Sequence, residues 1–115
     1  MTLNDTHIMT NQQPCIILCT TNSYESAMKI TQSLLNNRLA ACVSLLPEII
    51  SLYLWKEKIT QNKEILLLIK TMQTNQIKLF EMIKEIHPYT VPELIRLDQN
   101  QVEDNYLQWL INSIK

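Results

Sequence analysis

The sequence predicts an α+β fold of the split βαβ kind: strand, helix, strand, strand, helix, strand, then one added helix. Three observations predict it. A short run, residues 15–20, apolar up to its closing Thr20, precedes a segment of helical period. A long apolar stretch, 39–55, passes to a second apolar run, 64–71, with no helical pattern between them, which is the mark of a hairpin. A second helical segment is then cut off by Pro88, and a last strand-like run and a last helix follow.

Pro14 opens the first strand, 15–20 (CIILCT). Proline is tolerated at a strand start, and a run apolar on both faces suits a central strand covered on two sides. Ser23 is placed to cap the helix over 24–37. There Ala27, Ile30 and Leu34 form one apolar stripe. Glu25 in the first turn and Arg38 at the far end suit the helix dipole, and Asn37 stands in for glycine as the C-cap. The stretch 39–55 (LAACVSLLPEIISLYLW) carries one charged residue, Glu48. Its β-branched and aromatic residues, with Pro47 in the middle, argue for a long bent strand interrupted by a bulge or short turn at Pro47 and Glu48. Residues 56–63 read as the turn region, and 64–71 (EILLLIKT) as the return strand. The second helix is expected over 75–87, with Ile77, Phe80, Ile83 and Ile86 on its apolar face and Lys78, Glu81 and Lys84 on another. A fourth strand over 91–97 and a third helix over 104–114 complete the chain, the latter turning Leu107, Leu110, Ile111 and Ile114 inward.

This order is the ferredoxin-like arrangement with a long central β-hairpin. Two helices on one face leave the other sheet face bare. Yet Ile50, Leu52 and Leu54 alternate with Ile49, Tyr53 and Trp55, so both faces are apolar. A closed oligomer is the expected cover, because large exposed apolar patches are rare on monomers. The period alone does not choose between dimer and trimer.

Composition narrows the function classes. The chain has 115 residues, enough for one domain over 14–115, with 1–13 expected to be a flexible tail in which His7 is a solvated side chain. Lys and Arg number 10 against 11 Asp and Glu, a formal net charge of -1, so a broad electrostatic grip on nucleic acid is not expected. There is no glycine, which excludes a Walker A loop, a Rossmann turn and a G-x-S-x-G serine elbow. The cysteines are 3, an odd count that argues against a closed disulfide framework. No secretory signal and no membrane-spanning run are recognisable, so a reduced, cytoplasmic location is the expectation.

Few residues are suited to chemistry. Glu81 and Glu85 share a polar helix face and read as solvated, and no catalytic constellation stands out; the chain reads as a non-enzyme. Cys15 and Cys19 lie about 13 Å apart along one strand and cannot chelate one ion. Cys42 reads as a small core residue. Cys19 closes the first strand, at the end where ligand sites of α/β sheets gather. The densest segment is His87-Pro88-Tyr89-Thr90-Val91-Pro92-Glu93, which holds an imidazole, a phenol and a carboxylate pinned by two prolines. Imidazole with thiolate suits copper or zinc by ligand type. Tyr53 and Trp55 read as packing under a subunit interface, and Lys70 as a partner for Glu64 or Glu93.

Several segments resemble the divalent-cation tolerance family called CutA: Leu18-Cys19-Thr20, Leu39-Ala40-Ala41-Cys42-Val43, Ser51-Leu52-Tyr53-Leu54-Trp55, Glu64 through Lys70-Thr71, His87 through Glu93, and Tyr106-Leu107-Gln108-Trp109. The similarity covers about residues 15–111, in the family's order. It implies a tight homotrimer in which the long hairpin strands pair between subunits, a link to copper tolerance, and no firmly attached enzyme activity. It also implies copper or another divalent ion as a weakly bound ligand at Cys19 and His87. Relatives place a second histidine where this chain has Ile86, and a glycine-bearing turn where it has Lys56-Glu57-Lys58. The alternative is a trimeric scaffold or signalling module that binds a small molecule or protein partner without a metal role. Acylphosphatase-like and RNA-recognition readings share the topology but lack their motifs here.

Overall fold

The computed structural model describes residues 13–114. His7 and the rest of the expected tail up to residue 12 lie outside them. Gln13 itself is fixed, its carbonyl accepting from the Gln73 N–H at 2.8 Å. Among the described residues the elements run β1 (Pro14–Thr21), α1 (Tyr24–Asn36), β2 (Cys42–Trp55), β3 (Lys58–Met72), α2 (Gln76–Ile86), β4 (Ile95–Asp98) and α3 (Asp104–Ser113), with a short 3-10 turn, Gln73–Asn75, leading into α2. The four strands form one antiparallel sheet in the order β2-β3-β1-β4. That is the ferredoxin-like α+β arrangement the sequence predicts.

The core lies between the sheet and two helices. Cys15, Ile17 and Cys19 of β1 and Leu67 and Ile69 of β3 pack against Ala27, Ile30 and Leu34 of α1 and Leu79 and Ile83 of α2. Alternation explains the choice on the sheet, since these strand residues pair at Ile17↔Ile69 and Cys19↔Leu67 and so share one face. On α2 the apolar stripe differs from the expected one. Leu79 and Ile83, four residues apart, are buried, while Ile77 is 69% exposed and Phe80 and Ile86 only flank the core. Leu79 and Ile83, at i and i+4, share the face turned to the core, and Ile77, two residues before Leu79, falls on the opposite side of the helix. The third helix buries Leu110, with Leu107, Ile111 and Ile114 half-buried.

Without glycine the chain places other residues in left-handed backbone. Ser23 caps α1 as expected, its hydroxyl accepting from the Ser26 N–H at 3.1 Å. At the other end Asn37 is the C-cap, but the left-handed residue is Arg38, with φ 57°. The Arg38 N–H donates to the Leu35 carbonyl at 3.1 Å and the Leu39 N–H to the Leu34 carbonyl at 2.9 Å, a Schellman closure. This cap occupies Leu39, so β2 begins at Cys42 rather than at 39.

The hairpin is longer than expected. The residues read as a turn region, 56–63, are mostly strand: Trp55 pairs with Lys58, leaving Lys56 and Glu57 as a two-residue turn with φ 52° and 67°. The expected interruption at Pro47 and Glu48 is present as a bulge, where pairing steps from Leu46↔Leu66 to Ile49↔Glu64 and Glu48 takes φ 106°. Beyond it the two strands leave the helices behind as an arm. The principal extents are 54 × 27 × 22 Å, and the radius of gyration is 15.7 Å, against about 13 Å for a compact chain of this length. The fourth strand is short, and Val91, expected in it, lies outside and is 84% exposed.

Candidate functional site

Pro88 ends α2 at Ile86, and His87 as C-cap adopts an extended backbone, φ -72° and ψ 140°. This turns the imidazole back onto the end of β1. Its Nε2 stands 2.8 Å from the Thr20 carbonyl oxygen, and its Nδ1 accepts from the Tyr89 N–H at 3.0 Å. A backbone N–H can only donate, so Nδ1 carries the lone pair and Nε2 the hydrogen, which it gives to Thr20. The Tyr89 ring meets the imidazole edge-on, with centroids 4.8 Å apart. Cys19 reaches the same acceptor: its Sγ donates to the Thr20 carbonyl at 3.8 Å. The fold thus brings Cys19 and His87, far apart in sequence, to one oxygen atom.

The Cys19 thiol is held in its protonated form. Cys19 is fully buried, and burial first, then the nearby Glu93 and Glu64 carboxylates, together push its thiol up to about 12. The thiolate that a soft metal requires is therefore scarce at neutral pH. Ile86, next to His87, packs against the core and supplies no donor. Among the described residues no three His, Cys, Asp or Glu side chains gather as a metal site.

Beside this node lies a cavity of about 700 Å³. The register places Tyr53 opposite Thr60 and Trp55 opposite Lys58, on the same sheet face as Asn62 and Glu64. The segment after α2 closes the cavity with Tyr89 and Glu93, and Thr20 forms part of its wall. The Tyr89 hydroxyl donates to Glu64 Oε2 at 2.6 Å, while burial and this bond hold the phenol well above its ordinary titration range. Asn62 Nδ2 donates to the Tyr53 hydroxyl at 2.5 Å. In this chain Tyr53 and Trp55 are 42% and 61% exposed, so any deep packing of theirs requires another subunit.

Lys70 departs from expectation. It pairs with neither Glu64 nor Glu93. Its Nζ donates to Ser44 Oγ at 3.0 Å and lies 3.9 Å from Cys42 Sγ, across the β2–β3 ladder where Cys42 faces Lys70. Cys42 is accordingly half-buried beside an ammonium rather than a core residue. Sequence reasoning missed Thr20 and Asn62. The first works through its backbone carbonyl, which has no sequence signal. The second sits in a stretch whose polarity reads as a turn.

A family-wide sequence description, "CutA1 divalent ion tolerance protein", matches residues 15–113. The divalent-cation tolerance protein CutA of Pectobacterium atrosepticum is 42% identical over 100 residues, 87% of this chain and 91% of that protein. Crystal structures of CutA1 superpose closely. For Pyrococcus horikoshii CutA1 the TM-score is 0.83 at 40% identity, covering 88% of this chain and 98% of the other. For Oryza sativa CutA1 it is 0.88 at 34% identity, covering 91% and 96%.

Proposed function

This chain belongs to the CutA1 divalent-cation tolerance family, a non-catalytic family, and from that premise we propose that it works as a homotrimer that binds copper weakly. The observation that carries the metal reading is the meeting of Cys19 Sγ and His87 Nε2 at the Thr20 carbonyl. A thiolate and an imidazole at the end of one strand are a donor pair suited to copper. Binding is weak for stated reasons: the ion must displace the proton of a thiol raised to about 12 and break the 2.8 Å His87 bond, and Ile86 adds no third donor. Two protein donors fall short of the four of a closed structural zinc site, so folding does not depend on metal.

The trimer is supported by the arm. Ile50, Leu52, Leu54 and Ile59 share its other face and are 55%, 62%, 71% and 76% exposed, an apolar patch that a second subunit would cover. The compartment proposed is the reducing cytoplasm, where Cys15, Cys19 and Cys42, all free, stay thiols. Calorimetric copper titration of the unsubstituted chain, Cys19→Ser and His87→Ala tests the metal reading. Loss of the binding heat in both variants is expected, and equal binding by all three removes both residues from the site.

A further inference from the structure

We propose that the cavity on the Tyr53–Trp55 face of the arm binds a small organic cation, an ammonium group carried on an apolar body. The proposal goes beyond the copper reading and stands independently of it, because it uses neither Cys19 nor His87 as a ligand. The cavity, about 700 Å³, lies within the size range of small-molecule sites. Its walls are aromatic, with Tyr53, Trp55 and Tyr89 among the lining residues. Its charge is of one sign: Glu64 and Glu93 line it, and no lysine, arginine or histidine does. Neither carboxylate enters an ion pair among the described residues, whose ion pairs are Lys63 with Glu48 and Arg96 with Asp98.

Glu64 is only 9% exposed, and Tyr89 holds its Oε2 in place from a distance of 2.6 Å, so one carboxylate is oriented before any ligand arrives. The combined field of the two carboxylates already reaches Cys19, whose thiol both of them raise. Aromatic faces attract cations through their quadrupole, and a carboxylate beside them adds a charge-assisted hydrogen bond. The Trp55 ring already takes one cation, the Lys56 ammonium, at 5.9 Å from its centroid. An anion is repelled from this cavity. A bare divalent ion lacks a third acidic, cysteine or histidine ligand among the described residues.

The test compares three ligands that share one body: phenethylammonium, neutral 2-phenylethanol and anionic phenylacetate. The chain has 2 tryptophans, so Trp109→Phe leaves Trp55 as the sole tryptophan, read with excitation at the red edge where tyrosine does not absorb, in the full, assembled protein. The expected result is a saturable change of Trp55 emission with the ammonium, binding at least about tenfold weaker for the alcohol, and none for the carboxylate. Glu93→Gln, at an exposed position, is expected to weaken ammonium binding about tenfold, as is Glu64→Gln, which keeps an acceptor for Tyr89. Calorimetry on the unsubstituted chain gives the same ranking of ligands without relying on a variant. Equal affinity for ammonium and alcohol overturns the proposal in favour of an apolar groove. Absence of saturable binding overturns it too, including the case in which a second copy of the chain fills the cavity.

Discussion

Thr20 offers nothing from its side chain to the node, yet its carbonyl oxygen fixes both Cys19 and His87. Copper has to compete there with protons. Because burial pushes the Cys19 thiol up to about 12, most of the residue is thiol at neutral pH, and coordination releases a proton. Affinity is therefore expected to rise with pH, about tenfold per unit below that value if the thiolate is the ligand. Titrations at about pH 6.5 and about pH 7.5 check this; a flat profile removes Cys19 from the coordination sphere. A second expectation concerns Thr31, on the buried side of α1, whose Oγ1 is buried without a hydrogen-bond partner. Thr31→Val removes that hydroxyl at equal shape and should raise stability by about 1 kcal/mol in denaturant melts. At this scale the sequence was informative where covalent constraint decides the outcome. Pro88 fixes where α2 stops and hence where the His87 ring can turn. The partners of Lys70 depend on cross-strand register, and no local pattern near Lys70 encodes that register.

The β2–β3 hairpin shows why register was hidden. Two-residue turns of this kind are usually announced by Asn-Gly, because both central residues need positive φ. Here Lys56 and Glu57 take φ 52° and 67° with side chains that give no such signal. The flanking polar residues, Thr60, Gln61, Asn62 and Lys63, then read as more turn although they are paired strand. The bulge was legible, since Pro47 cannot donate to a ladder and needs an interruption. Left-handed backbone costs an L-residue about 1–2 kcal/mol, so replacing Lys56-Glu57 by Asn-Gly should stabilise the protein by about that amount or more. Chemical denaturation at a fixed protein concentration measures it, and an unchanged midpoint would show that the turn carries no strain.

At the scale of the whole molecule, the arm carries the prediction of assembly. Light scattering after chromatography is expected to give three times the 13.5 kDa chain mass, and a mass near one chain would refute the trimer. Leu54→Asp, at a position 71% exposed in the single chain, is expected to dissociate the assembly while leaving the secondary structure of each chain intact. The assembled protein should melt above the roughly 45–65 °C typical of mesophilic domains, since the proposed intersubunit strand pairing would close edges that a lone chain leaves open. The apolar patch proposed as the subunit contact and the proposed organic-cation site lie on opposite faces of the same two strands, and what assigns those faces is the extra residue at Pro47–Glu48. Before it the even-numbered residues of β2 lie on the sheet face of Leu66 and Glu64; after it the odd-numbered ones do. The bulge is thus a parity setting for everything distal to it. Losing one residue there would leave Ile49 opposite Glu64 and every distal pair in place, whereas drawing both residues into a regular ladder would exchange the two faces, turning Tyr53 and Trp55 toward the proposed subunit contact and Leu52 and Leu54 toward the carboxylates. A one-residue insertion or deletion in the paired part of β2 beyond the bulge does the same for every residue distal to it, so that assembly and recognition are expected to change together.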